Sequence, residues 1–302
     1  MASIESDNIR ARYQSWSDRL AANPEMDLAT VRNIFEEWHL PTREPTDVSY
    51  AEVGAGSVPA MWCIPAGGAV DRVMLYTHGG GCVVGSMHTH RKLAGHLAKA
   101  AGVRALVLDY RLAPENPFPA QIEDSVTAFR WLLEQGITPD HIVTAGDSAG
   151  GNLAITGPLK LRELGLPLPA AIVALSPYLD MELSGAAMEE NVATEALVNR
   201  PLMEQMVENY LCGQASVTDP FANPLHADLT GLPPTYIAAG DHEMLRDDGT
   251  RFAALAEKAG VAVTLEVEPE MQHVFQFMAG RASEADAAIA RIGAWIRPHL
   301  GL

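Results

Sequence analysis

The 302 residues carry 38 acidic against 21 basic side chains, a net charge of −17, which argues against nucleic acid or anionic membrane surfaces as partners because both demand basic patches. At 48% hydrophobic and 20% charged, the chain is able to bury a large core, and α/β folds of this length often form one domain. Cys63, Cys82 and Cys212 are odd in number, far apart and form no Cys-x-x-Cys pair, which argues against a disulfide framework or structural zinc.

The N-terminus, Met1-Ala2-Ser3-Ile4-Glu5-Ser6-Asp7, is acidic and lacks an apolar h-region, so no signal peptide is expected. No run of about 18 apolar residues is present to span a bilayer, and the cytoplasm is the expected location. The first 45 residues read as helical. Trp16 and Leu20 stand at helical spacing within 4–20, and Val31, Ile34, Phe35 and Trp38 share a face within 27–40. Pro41 and Pro45 close that segment. Short apolar runs then alternate with helical stretches, the βαβ signature of a mostly parallel sheet. Eight strands are predicted, over 47–53, 57–64, 72–77, 104–109, 141–145, 170–175, 235–239 and 261–267. Helices are predicted over 89–101, 120–135, 149–164, 245–259 and 283–299. The stretch 184–213 is helical in character but follows no strand in the usual rhythm. Together with 1–45 it is expected to form a small cap on a catalytic domain of 46–302.

Three short stretches carry the chemistry. Gly146-Asp147-Ser148-Ala149-Gly150 fits Gly-x-Ser-x-Gly, which puts a nucleophilic serine on a sharp strand-to-helix turn. A helix starting near Ala149 would bring N–H donors and a partial positive charge beside Ser148. The alternative for Ser148 is a plain helix cap. Upstream, His78-Gly79-Gly80-Gly81 ends the third strand. It lacks Gly-Lys-Ser/Thr and the Gly-x-Gly-x-x-Gly fingerprint, so a nucleotide cradle is disfavoured. The N–H groups of Gly79 and Gly80 with that of Ala149 are expected to form an oxyanion hole. Cys82 beside them reads as a small buried apolar residue, and His78 as a brace for the turn.

Ser148 needs a base, and His273, after the eighth strand, is placed to supply it. Asp241, at the end of Tyr236-Ile237-Ala238-Ala239-Gly240-Asp241, is the expected acid, with Glu243, Asp247 and Asp248 as rivals. Asp248 is the strongest rival, though Leu245-Arg246-Asp247-Asp248 reads as a helix start. In parallel sheets, ligand sites form at the carboxyl ends of strands, so these elements converge on one edge.

These residues resemble the hormone-sensitive-lipase-like family of α/β-hydrolases, over roughly residues 70–300. The resemblance rests on His78-Gly79-Gly80-Gly81, on Asp109-Tyr110-Arg111-Leu112-Ala113-Pro114-Glu115 with Pro117-Phe118-Pro119-Ala120, on the Ser148 turn, and on the Asp241 and His273 contexts. It implies an α/β-hydrolase fold with an eight-stranded, mostly parallel sheet and a helical cap, no metal, no cofactor, and hydrolysis of short-chain carboxylic esters through an acyl-enzyme. One departure stands out. The family commonly has Asp-Pro-Leu at the acid, whereas here Asp241 is followed by His242-Glu243-Met244-Leu245. That segment and Gln272-His273-Val274-Phe275 resemble a branch with monoterpene ε-lactone hydrolases, which makes a lactone the alternative substrate. The triad by itself does not exclude amide or peptide bonds. A non-catalytic receptor on this fold is disfavoured, since such derivatives tend to lose the base. The partner is a small-molecule ester. An edge strand or the final helix leaves room for a homodimer.

Overall fold

The computed structural model describes residues 2–302. Helix α1 (Ile4–Ala22) starts at Ser3, whose side chain accepts from the Ser6 N–H, and α2 (Leu28–Phe35) starts at Asp27, which accepts from Thr30. Ile9, Tyr13 and Trp16 form the buried stripe of α1 at spacings of four and three. Trp16 meets Phe35 and Trp38, each at 5.9 Å between ring centroids, which roots the N-terminal segment in the main core.

Eight strands follow: β1 (Val48–Ala55), β2 (Val58–Pro65), β3 (Ala69–Thr77), β4 (Val103–Leu108), β5 (Ile142–Asp147), β6 (Ala171–Leu175), β7 (Thr235–Gly240) and β8 (Val263–Glu268). They form one sheet in the order β1-β2-β4-β3-β5-β6-β7-β8. The two pairings of β2 are antiparallel; all the others are parallel. The chain also forms α3 (Met87–Ala101), α4 (Ala120–Glu134), α5 (Ala149–Glu163), short α6 (Ala187–Glu190), α7 (Arg200–Leu211), α8 (Arg246–Lys258) and α9 (Ser283–His299).

The central strands are buried on both faces, and their residues alternate between two cores. Val143 and Ala145 of β5 face the core shared with α3, α9 and the N-terminal helices. Ile142 faces the core built with α4 and α5. A third cluster joins α5 and α8 over β6 and β7. The parallel strands deliver the turns after β3, β5, β7 and β8 to one edge of the sheet, and α6 and α7 lie over that edge.

Candidate active site

The turn after β5 holds Ser148 at φ 51°, ψ −121°, a conformation that costs an L-residue of order 1–3 kcal/mol. Neighbours on both sides enforce it. Ser148 N–H donates to the Leu175 carbonyl at 2.8 Å, and the Ser148 carbonyl accepts from Tyr178 N–H at 3.0 Å and Asn152 N–H at 3.1 Å. The turn packs so closely that a Cβ on Gly150 would lie 2.0 Å from the Thr77 carbonyl oxygen, and one on Gly146 2.3 Å from the Gly150 oxygen. No larger residue fits either position. Ser148 therefore begins α5 as a strained elbow, without a side-chain capping bond.

The glycine loop rests on a buried polar network. Asp147 accepts from Tyr76 Oη at 2.6 Å, from Gly79 N–H at 3.2 Å and from His90 Nε2 at 3.2 Å. Burial works to raise the Asp147 carboxyl, but the His90 ring and the Tyr76 hydroxyl outweigh it and hold it below the usual carboxylate range. The Gly79 N–H is thus taken up by the buried Asp147 carboxylate, which corrects its assignment as an oxyanion donor. The N–H groups of Gly80, Gly81 and Ala149 have no hydrogen-bond partner among the described residues. His78 braces the loop: its Nδ1–H donates to the Gly79 carbonyl at 2.7 Å and its ring stacks on Tyr110 at 4.1 Å. Burial, with His90 nearby, pushes the His78 imidazole down to about 3, so it stays neutral.

The Tyr110 segment explains its own presence. Tyr110 Oη donates to the His78 carbonyl at 2.6 Å, Ala113 N–H to the Cys82 carbonyl at 2.9 Å, and Arg32 of α2 clamps Ala113 and Glu115. The stretch is a scaffold for the glycine loop.

His273 sits in the turn after β8, 2% exposed. Its carbonyl accepts from Tyr13 Oη of α1 at 2.9 Å, and the next N–H, of Val274, donates to Ser176 Oγ at 3.0 Å. Its Nδ1–H donates to Glu243 Oε2 at 2.6 Å. The second Glu243 oxygen accepts from Gly240 N–H at 2.7 Å, so the carboxylate is fixed from both ends. Burial lowers the affinity of His273 for a proton, but the Glu243 bond and charge outweigh it, with Glu195 and Asp147 adding to them. The imidazole is net raised above its ordinary value.

Asp241, the expected acid, does not meet His273. Its N–H continues the ladder of β7 to the Glu268 carbonyl at 2.9 Å, and its half-exposed side chain faces Arg246 at 3.5 Å. The chain then turns back, and only the residue two further on points inward. The other rivals are structural: Asp247 accepts from Ala187 N–H at 2.9 Å, and buried Asp248 accepts from Leu179 and Asp180 N–H at 2.8 and 2.9 Å. A signal for Glu243 was present in the sequence. Glu243-Met244-Leu245 keeps the acid-x-Leu spacing that Asp241-His242-Glu243 lacks.

Ser148, His273, Gly80 and Gly81 line one cavity of about 40 Å³, roofed by Leu202 and Met206 of α7. Those two residues also border an outer cavity of about 630 Å³ between α7 and the N-terminal helices. Among the described residues no group of three or more His, Cys, Asp or Glu is placed to hold a metal ion, and no helix is long and apolar enough to cross a membrane.

A family model described as alpha/beta hydrolase fold matches residues 74–277, which spans the elbow, the glycine loop and the His273 turn. A solved esterase of the bacterial hormone-sensitive lipase family superposes with a TM-score of 0.94 at 42% identity, covering 100% of both chains. The chain belongs to the hormone-sensitive-lipase-like family of α/β-hydrolases. It is a carboxylic ester hydrolase. This esterase is also 41% identical over 300 residues to an acetyl-hydrolase of Streptomyces hygroscopicus, covering 93% of this chain and 98% of that protein. The carboxylesterase NlhH of Mycobacterium tuberculosis is 38% identical over 211 residues, 67% of this chain and 65% of that one.

Proposed function

We propose that this esterase hydrolyses esters of short-chain acids through an acyl-enzyme on Ser148, with His273 as the general base and Glu243 as the acid that orients it. The observation that carries the proposal is the fixed Glu243–His273 bond beside a cavity that Ser148 shares. Neutral His273 takes the Ser148 proton as Oγ attacks the ester carbonyl. The developing oxyanion meets the free N–H groups of Gly80, Gly81 and Ala149 at the positive end of α5, where losing one such donor typically costs about 100- to 1000-fold. The imidazolium, held by Glu243, then gives its proton to the departing alcohol. Water repeats the sequence and frees the acid.

The inner cavity supports a small acyl group. At the roughly 10–15 Å³ that one water needs, about 40 Å³ holds about three heavy atoms, the size of an acetyl group. A lactone ring needs both its acyl and its alcohol ends in one pocket, which that chamber does not offer. An open ester extending past Met206 into the outer cavity is the better fit.

Substitution separates Glu243 from Asp241. Glu243→Gln should lower kcat for nitrophenyl acetate by about 10⁴-fold, as loss of the acid does in comparable triads, while Asp241→Asn should stay within about 3-fold of wild type. Ser148→Ala should abolish turnover and labelling by an organophosphate. Greater damage from Asp241→Asn than from Glu243→Gln would overturn the assignment.

A further inference from the structure

The segment between α6 and α7 does more than roof the cavity. It binds all four successive residues of the acid turn. Asn191 Nδ2 donates to the Asp241 carbonyl at 2.9 Å and the Glu243 carbonyl at 2.8 Å, and Thr194 Oγ1 donates to the His242 carbonyl at 3.1 Å. Glu195 Oε2 accepts from Met244 N–H at 3.2 Å. The same segment grips the residue before the base: Gln272 Nε2 donates to the Thr194 carbonyl at 2.9 Å and Gln272 Oε1 accepts from Ala196 N–H at 3.1 Å.

Glu195 is the charged centre of this clasp. Its Oε1 accepts from the N–H groups of Ala196, Leu197 and Val198 at 2.9, 2.8 and 3.2 Å, which places its carboxylate at the root of Leu197 and Val198, which line the cavity beside Leu202 and Met206. Three bonds from one turn on one oxygen, and a fourth to the acid turn on the other, make this a built site rather than a surface charge.

We infer that Glu195 is a positioning residue of the esterase reaction, tying the cap to the Glu243 turn and supplying a second negative charge to the surroundings of His273. The inference rests on the roles proposed above for Glu243 and His273. The charged groups facing His273 are Glu243 from the turn after β7, Glu195 from the cap and Asp147 from the end of β5. Facing Glu195 are His273, Glu243 and the titratable Tyr13 hydroxyl of α1. Burial, with the Glu243 charge, raises the Glu195 carboxyl, and His273 and the N–H bonds of Leu197 and Val198 oppose that rise. The same side chain therefore adds to the proton affinity of the base and holds the acid turn.

Glu195→Gln keeps the size and the Oε1 acceptor, removes the charge, and sets an NH₂ against the Met244 N–H. Glu195→Ala removes both functions. The pH profile of kcat/KM with nitrophenyl acetate should show the acid limb of the Gln variant moved to lower pH by about half a unit or more. Its kcat should fall about 10-fold with little change in KM, as expected for a displaced catalytic turn. Glu189→Gln, which removes an exposed cap carboxylate paired with Arg200, should leave the limb in place. An unmoved acid limb in both Glu195 variants, or an equal shift in Glu189→Gln, would overturn the inference. If Glu243→Gln and Ser148→Ala lose activity while the Glu195 variants titrate as wild type, this inference alone fails. If Glu243→Gln keeps its activity, the fault lies in the catalytic assignment beneath it.

Discussion

In the proposed mechanism His273 must be neutral to accept the Ser148 proton, and its surroundings make that neutral form harder to reach. Burial favours neutrality, but the Glu243 carboxylate at 2.6 Å wins, so the imidazole holds its proton above the pH at which a free histidine, near 6.5, releases it. The acid limb of kcat/KM should therefore fall above pH about 6.5, with a single ionisation. A profile already flat at pH 6 would show that His273 does not act as the base. That the Ser148 turn, the glycine loop and the His273 turn would meet at one sheet edge was legible in the sequence, because each sits in a short motif or at a strand end. The carboxylate that meets His273 was not. Asp241 ends β7 at the expected place, yet strand geometry carries its side chain to solvent, and a turn of two more residues delivers Glu243. His90 and Glu195 were equally hidden, since their partners, Asp147 and Met244, are brought to them only by packing.

At the scale of an element, α7 decides how much room the ester finds. It lays Met206 against the glycine loop so closely that a Cβ on Gly81 would lie 2.6 Å from the Met206 sulfur. Met206 and Leu202 divide the chamber of about 40 Å³ from the outer cavity of about 630 Å³. Methionine suits such a partition because its unbranched chain adapts to what lies on either side. Met206→Ala should join the two spaces. The ratio of kcat/KM for nitrophenyl hexanoate to that for the acetate should rise by about 10-fold or more, the lower end of what a single methylene is worth in an apolar pocket. The same change removes a side chain that is 8% exposed and should cost about 2 kcal/mol in urea denaturation. An unchanged chain-length preference in a folded variant would show that Met206 does not limit the substrate.

Across the whole molecule, apolar period and turn residues were enough to locate eight strands, and the βαβ rhythm to make most of them parallel. Their spatial order was out of reach, because the placement of β4 outside β3 depends on long-range pairing that no local pattern carries. Long-range packing also sets how the fold responds to pH. Asp248, in the first turn of α8, receives the N–H groups of Leu179 and Asp180, where the chain leaves β6 towards α6. Burial pushes its carboxyl up to about 7; the two N–H bonds pull the other way. In the unfolded chain the same group titrates near 3.9. Between those values the folded state holds a proton that the unfolded state has released, so stability falls as pH rises through about 7. Glu284 works at the opposite end: its own N–H and bonds from Ser3 and Ser283 overcome its partial burial and hold it down to about 2, giving stability that is lost as pH falls from about 4.3 through about 2. His273, raised as well, adds to the loss on the alkaline side. The stability contributed by Asp248 should thus decline by about 3 kcal/mol between pH 5 and pH 8, at about 1.4 kcal/mol per unit of displaced titration. Asp248→Asn keeps an oxygen for both N–H donors and cannot ionise. Urea midpoints at pH 5 and pH 8 should differ clearly in the wild type and much less in Asp248→Asn; equal differences in the two proteins would place the pH dependence elsewhere.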